Sequence, residues 1–589
     1  MSYTGARILV ETLIENGVDT IFGYPGGAVL NIYDELYKYK DKIRHILVSH
    51  EQHAVHAADG YARSTGRAGV CLATSGPGAT NLVTGIAAAF SDSVPVIAIT
   101  GNAGIPLLGK DSFQEVDITG ITMPIVKHNW IVEDVNDLAQ IVREAFIVAL
   151  SGRPGPVLID IPKDISFALC AEQGKMEEGR ALAATKDLYF NEREKRLIDR
   201  TKRETFNDDD INRAAALIKS AKRPLLYVGG GAVNSGADSE VKILAELLDA
   251  PVALSLMGMG AFPSGHRLCT GLIGMHGTIA SNKAVQKADL LIALGARFSD
   301  RVTGGLEHFA KKARIIHIDI DPAEINKNIS ADEFIIGDLK KILNKLVKKL
   351  PKNFINEWNS DIDNWKDEEK KRKRKKKKEH TVKRTSIEKE ILNPEFIIIE
   401  TAKVLGDKTI VVTDVGQHQI WTAQYFPFKN PRSFLSSGGM GAMGYGMGAA
   451  VGAKIAKSSS PVVLFTGDGS FRMDSAEMAT LVKYALPVLI IVFNNQTLGM
   501  LRQWQNIFYN ANYYETGLDN RGPDFIKLAQ AYDVPAFRVT EKEAFLDALG
   551  KGINFLAEKK PVLIEVIIDK DERVVPIVPS GKPLDEQIM

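Results

Sequence analysis

PVVLFTGDGSF (Pro461–Phe471) and VLIIVFNN (Val488–Asn495) decide the fold. Each opens as an apolar run without polar interruption, the mark of a strand covered on both faces. Each ends in polar residues, with Asp468 and Asn495 27 residues apart. That span holds a strand, a crossover helix and a second parallel strand. The two polar tips therefore meet at the carboxyl edge of one sheet, where open α/β folds bind ligands. A carboxylate beside an amide oxygen suits Mg²⁺, a hard cation that shares its shell with phosphate. Gly467 and Gly469 let the backbone approach a diphosphate, and the N–H groups of the next helix add a favourable dipole. GDG alone is a common turn; its pairing with NN at this distance makes it specific.

Outward from this pair, short apolar runs alternate with longer helical patterns along most of the chain. VCLATS, VPVIAIT and PVLIDIP form one series, PLLYVGGG, DLLIALG and IIHIDID a second, and TIVVTDVG, PVVLFTGDG, VLIIVFNN and PVLIEVII a third. The pattern predicts an α/β protein of three doubly wound parallel-sheet domains. Their expected bounds are 1–170, 207–348 and 394–569, with charged joints at 171–206 and 349–393 and a tail at 570–589. The second joint carries nine consecutive basic residues, Lys370 to Lys378. With no aromatic residue among them, they read as a solvated helical linker rather than a nucleic-acid patch.

The 589 residues carry 73 basic and 72 acidic side chains, so no global field exists to hold nucleic acid or a membrane. Three scattered cysteines (Cys71, Cys170, Cys269) read as reduced thiols. The N-terminus lacks a secretory signal and no apolar run reaches eighteen residues, so a soluble, cytoplasmic protein is expected.

A long series of motifs resembles one family. FGYPGGAVLNIYDEL, SHEQHAVHAADGYARSTG, TSGPGATNLVTGIA, RPGPVLIDIPKDI, LMGMGAFP, RFSDRVTG, GQHQIW, SSGGMGAMGYG and LGMLRQWQ look, in order, like the acetolactate (acetohydroxyacid) synthase catalytic subunit. That subunit depends on thiamine diphosphate (ThDP). The resemblance implies Mg²⁺ held by Asp468, Asn495 and the Thr497 carbonyl. It implies the ThDP diphosphate against Val415, Gly416, Gln417, His418, Gly467, Gly469, Ser470, Leu498, Gly499 and Met500. Tyr24, Pro77 and Asn81 would border the aminopyrimidine, Met443 would be the apolar wedge that bends the cofactor, and Gly441 would line the same cofactor site. Taken alone, Met443 reads as core and Glu51 as favourable charge in a first helical turn. In the family, Glu51 is the carboxyl group that protonates the aminopyrimidine. Gln114 and Lys163 join it as catalytic candidates.

The same resemblance implies FAD in the middle domain. The candidates are Arg153, Gly229, Gly230, Gly231, Leu256, Met257, Gly274, Met275, His276, Gly295, Arg297, Arg301, Val302, Asp319, Ile320 and Asp338. A substrate channel is implied at Gly27, Ala28, Phe113, Arg301, Trp504 and Ser580. The implied substrates are pyruvate and 2-oxobutyrate, and the implied assembly is a homodimer or dimer of dimers with a small regulatory subunit. Two rivals stay open: another ThDP/FAD enzyme such as pyruvate oxidase, and a non-catalytic ThDP-binding scaffold. Leu107 and Leu108 stand where some relatives carry arginines, and neither charged joint fits the family pattern.

Overall fold

A computed structural model describes residues 3–170, 205–383, 392–519 and 522–589, with 196, 197 and 199. Eighteen strands in the described residues form three six-stranded sheets, and every pairing within them is parallel. The first sheet contains β1 (Thr20–Gly23), β2 (Arg44–Leu47), β3 (Gly69–Ala73), β4 (Val96–Asn102), β5 (Asn129–Ile131) and β6 (Val157–Pro162). The second contains β7 (Pro224–Val228), β8 (Val252–Leu254), β9 (Cys269–Leu272), β10 (Leu290–Leu294), β11 (Arg314–Asp319) and β12 (Glu333–Ile336). The third contains β13 (Ile410–Thr413), β14 (Phe434–Leu435), β15 (Val462–Gly467), β16 (Val488–Asn494), β17 (Ala536–Val539) and β18 (Val562–Ile567).

The outer two sheets have one topology. Their orders, β2-β1-β3-β4-β6-β5 and β14-β13-β15-β16-β18-β17, coincide when strands are counted from the start of each domain. The middle sheet runs β12-β11-β10-β7-β8-β9, a dinucleotide-fold order that reverses between β7 and β10. Continuous apolar runs serve these sheets because both faces are covered: every residue of β4, β6 and β10 is buried.

The first and third domains share one hydrophobic core, with Phe22, Ile46 and Ala54 in the same cluster as Val412, Leu464 and Ile490. Its centre is a crossing of helices Glu51–Thr65 and Gly446–Ala456. A Cβ at Gly60 would stand 2.3 Å from the Ala449 carbonyl oxygen, and one at Gly452 would stand 1.9 Å from that of Ala57. These helices meet backbone to backbone, which only glycine allows.

The basic run lies in helix Asn359–Lys383. The start of that helix is packed rather than free. Trp358, Ile362 and Trp365 enter a core of the middle domain, and the Glu369 carboxylate accepts the Ile279 N–H at 3.0 Å. The expected joint at 171–206 lies almost wholly outside the described residues. Among the described residues, no helix is long and apolar enough to cross a membrane.

Candidate functional site

The register of the third sheet brings the two polar tips together: Gly467 pairs with Phe493, so Asp468 and Asn495 leave neighbouring strands side by side. Asp468 opens helix Asp468–Asp474 and is 2% exposed. Its Oδ2 is buried without a hydrogen-bond partner. Burial pushes its carboxyl up to about 7, against the pull of Arg472 and the backbone N–H groups around it. A buried, unpartnered carboxylate oxygen is the donor a divalent cation would satisfy. Asn495 is oriented beside it: its Oδ1 accepts the Thr497 N–H at 3.2 Å and its Nδ2 donates to Gln417 Oε1 at 3.3 Å.

The anion side is built from glycines around His418. A Cβ on Gly416 would meet the His418 ring at 2.8 Å and one on Gly467 would meet it at 3.0 Å, so both must be small. His418 Nε2 is buried without a partner, and burial lowers the ring to about 3. Ser470 donates to the Val415 carbonyl at 3.0 Å. Gly469 faces Leu498 and Met443, whose Cε would lie 3.7 Å from a Cβ there. Gly499 faces Gln417 and Asn495, while Met500 packs against the neighbouring core. The loop bearing Met443 turns at Gly441 (φ +66°) and Gly444 (φ +84°).

Two buried carboxylates fix this loop. Asp414 accepts N–H groups from Val415, Gly444 and Gly446 at 2.7, 3.1 and 2.8 Å. Asp92, from the first domain, accepts those of Gly438 and Gly439 at 2.9 and 2.8 Å and is paired with Arg63 at 2.9 Å.

The first domain assembles a separate group. Glu51 begins a helix capped by His50, and its Oε2 accepts from Asn81 Nδ2 at 2.9 Å. Pro77 opens the helix that carries Asn81. A Cβ on Gly78 would lie 3.3 Å from Glu51 Oε1, and one on Gly76 would lie 2.9 Å from Gln114. The Ala28 N–H reaches Thr74 Oγ1 at 3.4 Å, and a Cβ on Gly27 would meet open space. Tyr24 is 42% and Phe113 89% exposed. Lys163 follows β6 at the same carboxyl edge. Among the described residues, no hydrogen bond or ion pair joins Glu51 to Asp468, Asn495 or Thr497.

The middle domain presents a cradle at the β7/β10 reversal. A Cβ on Gly229 would stand 2.2 Å from the Gly295 carbonyl oxygen, and one on Gly231 would stand 2.7 Å from Gly295 Cα. Gly230 faces Met257, which follows Leu256 in a short helical turn. Gly274 (φ +103°) packs on Arg301 and Val302. His276 hydrogen-bonds the Pro576 carbonyl at 3.2 Å, and burial lowers its ring to about 4. The Arg297 carbonyl accepts from Tyr227 at 3.1 Å. Burial raises Asp319, and Ile320 beside it is exposed. Two candidates carry other work in the chain. Arg153 is engaged by Asp321 and Glu324 at 3.2 and 3.0 Å, and Asp338 caps helix Leu339–Val347 through the Lys341 N–H at 2.9 Å.

A cavity of about 350 Å³ lies where this domain, the third domain and the tail meet. Met275, Trp504, Phe508 and Tyr509 line it, together with tail residues Ile577 to Ser580. Trp504 and Ser580 thus come together, with the Arg301 guanidinium 5.7 Å from the indole ring. Gly27, Ala28 and Phe113 belong to the first domain's group. Reading the sequence missed Asp92, which stands just past helix Val83–Ser91, and Asp414, which follows β13; each holds a loop at least thirty residues away.

Comparison with known proteins bears on these sites. Residues 3–121 match the thiamine pyrophosphate enzyme N-terminal TPP binding domain, 211–346 the central domain and 414–566 the C-terminal TPP binding domain. The acetolactate synthase large subunit of Pyropia yezoensis is 43% identical over 98% of this chain and 94% of its own length. Acetolactate synthase of Mycobacterium bovis is 44% identical over 99% and 91%. A probable acetolactate synthase large subunit of Methanocaldococcus jannaschii is 44% identical over 98% and 94%. At that identity from end to end, and with both thiamine pyrophosphate domains present, the chain belongs to the acetolactate synthase large-subunit family of thiamine pyrophosphate enzymes.

Proposed function

We propose that this chain is a ThDP-dependent carboligase. It decarboxylates pyruvate and joins the remaining two-carbon unit to a second pyruvate, giving 2-acetolactate, or to 2-oxobutyrate, giving 2-aceto-2-hydroxybutyrate. Both are entry steps to branched-chain amino acids. The observation that carries the reading is the unpartnered Oδ2 of Asp468 beside the glycine-walled His418. A buried carboxylate oxygen without a donor and a glycine-lined backbone around an unpartnered imidazole nitrogen fit a metal diphosphate.

Asp468, Asn495 and the Thr497 carbonyl would hold Mg²⁺, and Gly416, His418, Gly469 and Ser470 would hold the diphosphate. When bound, ThDP supplies an acidic C2 carbon and a cationic thiazolium that accepts the electrons released with CO₂. The chain's own residues orient and protect that chemistry. Glu51, held by Asn81, gives and takes the proton at the aminopyrimidine nitrogen. Met443, beside Gly469, would support the cofactor. Gln114 and Lys163 approach the substrate from the Glu51 side, and the cavity at Trp504 receives the acceptor's alkyl group. Excluding water there keeps the two-carbon unit from being protonated before transfer.

FAD would lie in the cradle of Gly229, Gly231 and Gly295, a close backbone approach at a topological switch point. The assembly is a homodimer in which each chain completes its partner's site, as the family resemblance implies. Exposed Phe113, Met123, Met473 and Leu501 support the same assembly. The large-subunit designation of the relatives supports a smaller regulatory partner.

The test is product identity from pyruvate with and without 2-oxobutyrate, run with an oxygen electrode. Acetolactate without oxygen uptake is the expected result. Stoichiometric oxygen uptake would make the chain a pyruvate oxidase, and no product would leave a binding scaffold. In calorimetry, Asp468→Ala should remove Mg²⁺-dependent ThDP binding.

A further inference from the structure

The turn that carries Glu51 is not completed by its own domain. β2 is an edge strand of the first sheet, and the polar groups an edge leaves open are taken up by the third domain. The Leu47 N–H donates to the Tyr484 hydroxyl at 2.8 Å, and Ser49 Oγ donates to the Ala476 carbonyl at 3.0 Å. At the centre of this seam stands Glu477, its side chain fully buried. Its Oε1 accepts the Ser49 N–H at 2.8 Å and pairs with His53 Nδ1 at 2.9 Å. Its Oε2 accepts the Thr480 hydroxyl at 2.6 Å.

Ser49 and His53 bracket Glu51, two residues to either side, and both are fastened to one carboxylate oxygen. Hydrogen bonds to a charged acceptor in a dry seam are strong. An amide in its place gives up the charge and keeps its oxygen on Ser49 and His53 only by turning its NH₂ toward the Thr480 hydroxyl, which must then accept. Asn81 holds the far end of Glu51; Glu477 holds the backbone from which Glu51 projects.

We propose that Glu477 is a positioning residue for the proton-transferring carboxylate of Glu51. The inference rests on the reading of Glu51 above. Glu477 touches neither cofactor nor substrate; it sets where Glu51 stands, and a displacement of about 1 Å at a proton-transfer site costs up to about a hundredfold in rate.

The test reads Glu51 without substrate: exchange of the C2 proton of bound ThDP for deuterium, followed by NMR after acid quench and expressed per bound cofactor from calorimetry. Glu477→Gln should slow exchange about tenfold or more, with ThDP affinity and pyruvate KM within about threefold of the wild type. Thr480→Val, which loosens Glu477 from its far side and also frees the Leu47 carbonyl at 3.3 Å, should slow it about threefold. Tyr484→Phe, which loosens the same seam at Leu47, should exchange as the wild type does. Wild-type exchange in Glu477→Gln overturns the proposal; if that variant does not fold, Thr480→Val decides in the same way. Equal slowing in Tyr484→Phe also overturns it, because the seam as a whole would then set the turn. Glu51→Gln runs alongside, and undiminished exchange there overturns the reading of Glu51 instead.

Discussion

The first and third domains carry the same six-stranded order and use it for opposite chemistry. After its second strand, the first domain places the turn of Glu51, and the third places the glycine loop of Met443. After its third strand, the first places Pro77 and Asn81, and the third places Gly469 and Ser470. Each second-strand loop is held by a buried carboxylate from the other domain: Glu477 on the Ser49 N–H, and Asp92 on those of Gly438 and Gly439. The two straps differ in charge. Asp92 shares the Arg63 guanidinium with Asp59, whereas Glu477 faces N–H, hydroxyl and imidazole donors. A loop that presents an apolar side chain is held by a paired carboxylate, and a turn that presents a carboxylate is held by another carboxylate without a permanent cation. The scaffold supplies positions; on the proposed function, loop chemistry decides which domain handles protons and which binds the metal diphosphate.

Five substitutions and one mixing experiment test that division. The largest effect belongs to the shared bearing. Gly452→Ala forces a methyl group against the Ala57 carbonyl and should cost about 3 kcal/mol or more in urea unfolding, with both halves lost together. Next, Glu51→Gln should lower turnover about a hundredfold or more while ThDP stays bound. Asp468→Ala should do the reverse and lose retention first. The two variants then separate the halves: in equal mixtures, hybrid dimers should recover about a quarter of wild-type activity, because half the dimers carry one intact site. No recovery after verified exchange would mean that each chain completes its own site. Trp504→Leu should shift the ratio of 2-oxobutyrate to pyruvate products about tenfold in a single mixture, the scale of one methylene in an apolar pocket. The smallest effect is expected from Asp92→Asn, which loosens the Met443 loop. The ThDP dissociation constant should rise about three- to tenfold, with exchange per bound cofactor unchanged. If exchange falls as well, the two straps are not separable.

Much of this was legible because it is local. GDG and NN end strands joined by one crossover, so spacing alone predicts adjacent tips, and the Gly467–Phe493 register agrees. The three sheets follow from apolar runs of strand length. What stayed illegible is long-range. Ser49 meets Glu477 across 428 residues and Asp92 meets Gly438 across 346, and no local pattern marks such pairs. The cavity at Trp504 was half visible, since its tail wall comes from a segment without periodicity. Asp338 fits a family pattern by position, and its carboxylate also caps a helix, a contact that only coordinates reveal. The basic run looked like pure linker because its charge outweighed Trp358 and Trp365, which anchor the start of the helix.

The glycine bearing between helices Glu51–Thr65 and Gly446–Ala456 limits how this protein can change over generations. Most interfaces drift by exchanging one apolar side chain for another of similar volume. Here the contact is main chain on main chain at Gly60 and Gly452, so no side chain exists to exchange, and any gain of a methyl group collides with a carbonyl. The domain pair must be inherited as a single piece, closed to shuffling. Variation is left to the loops at the sheet edges, where substrate preference can move without disturbing the bearing on which both domains turn.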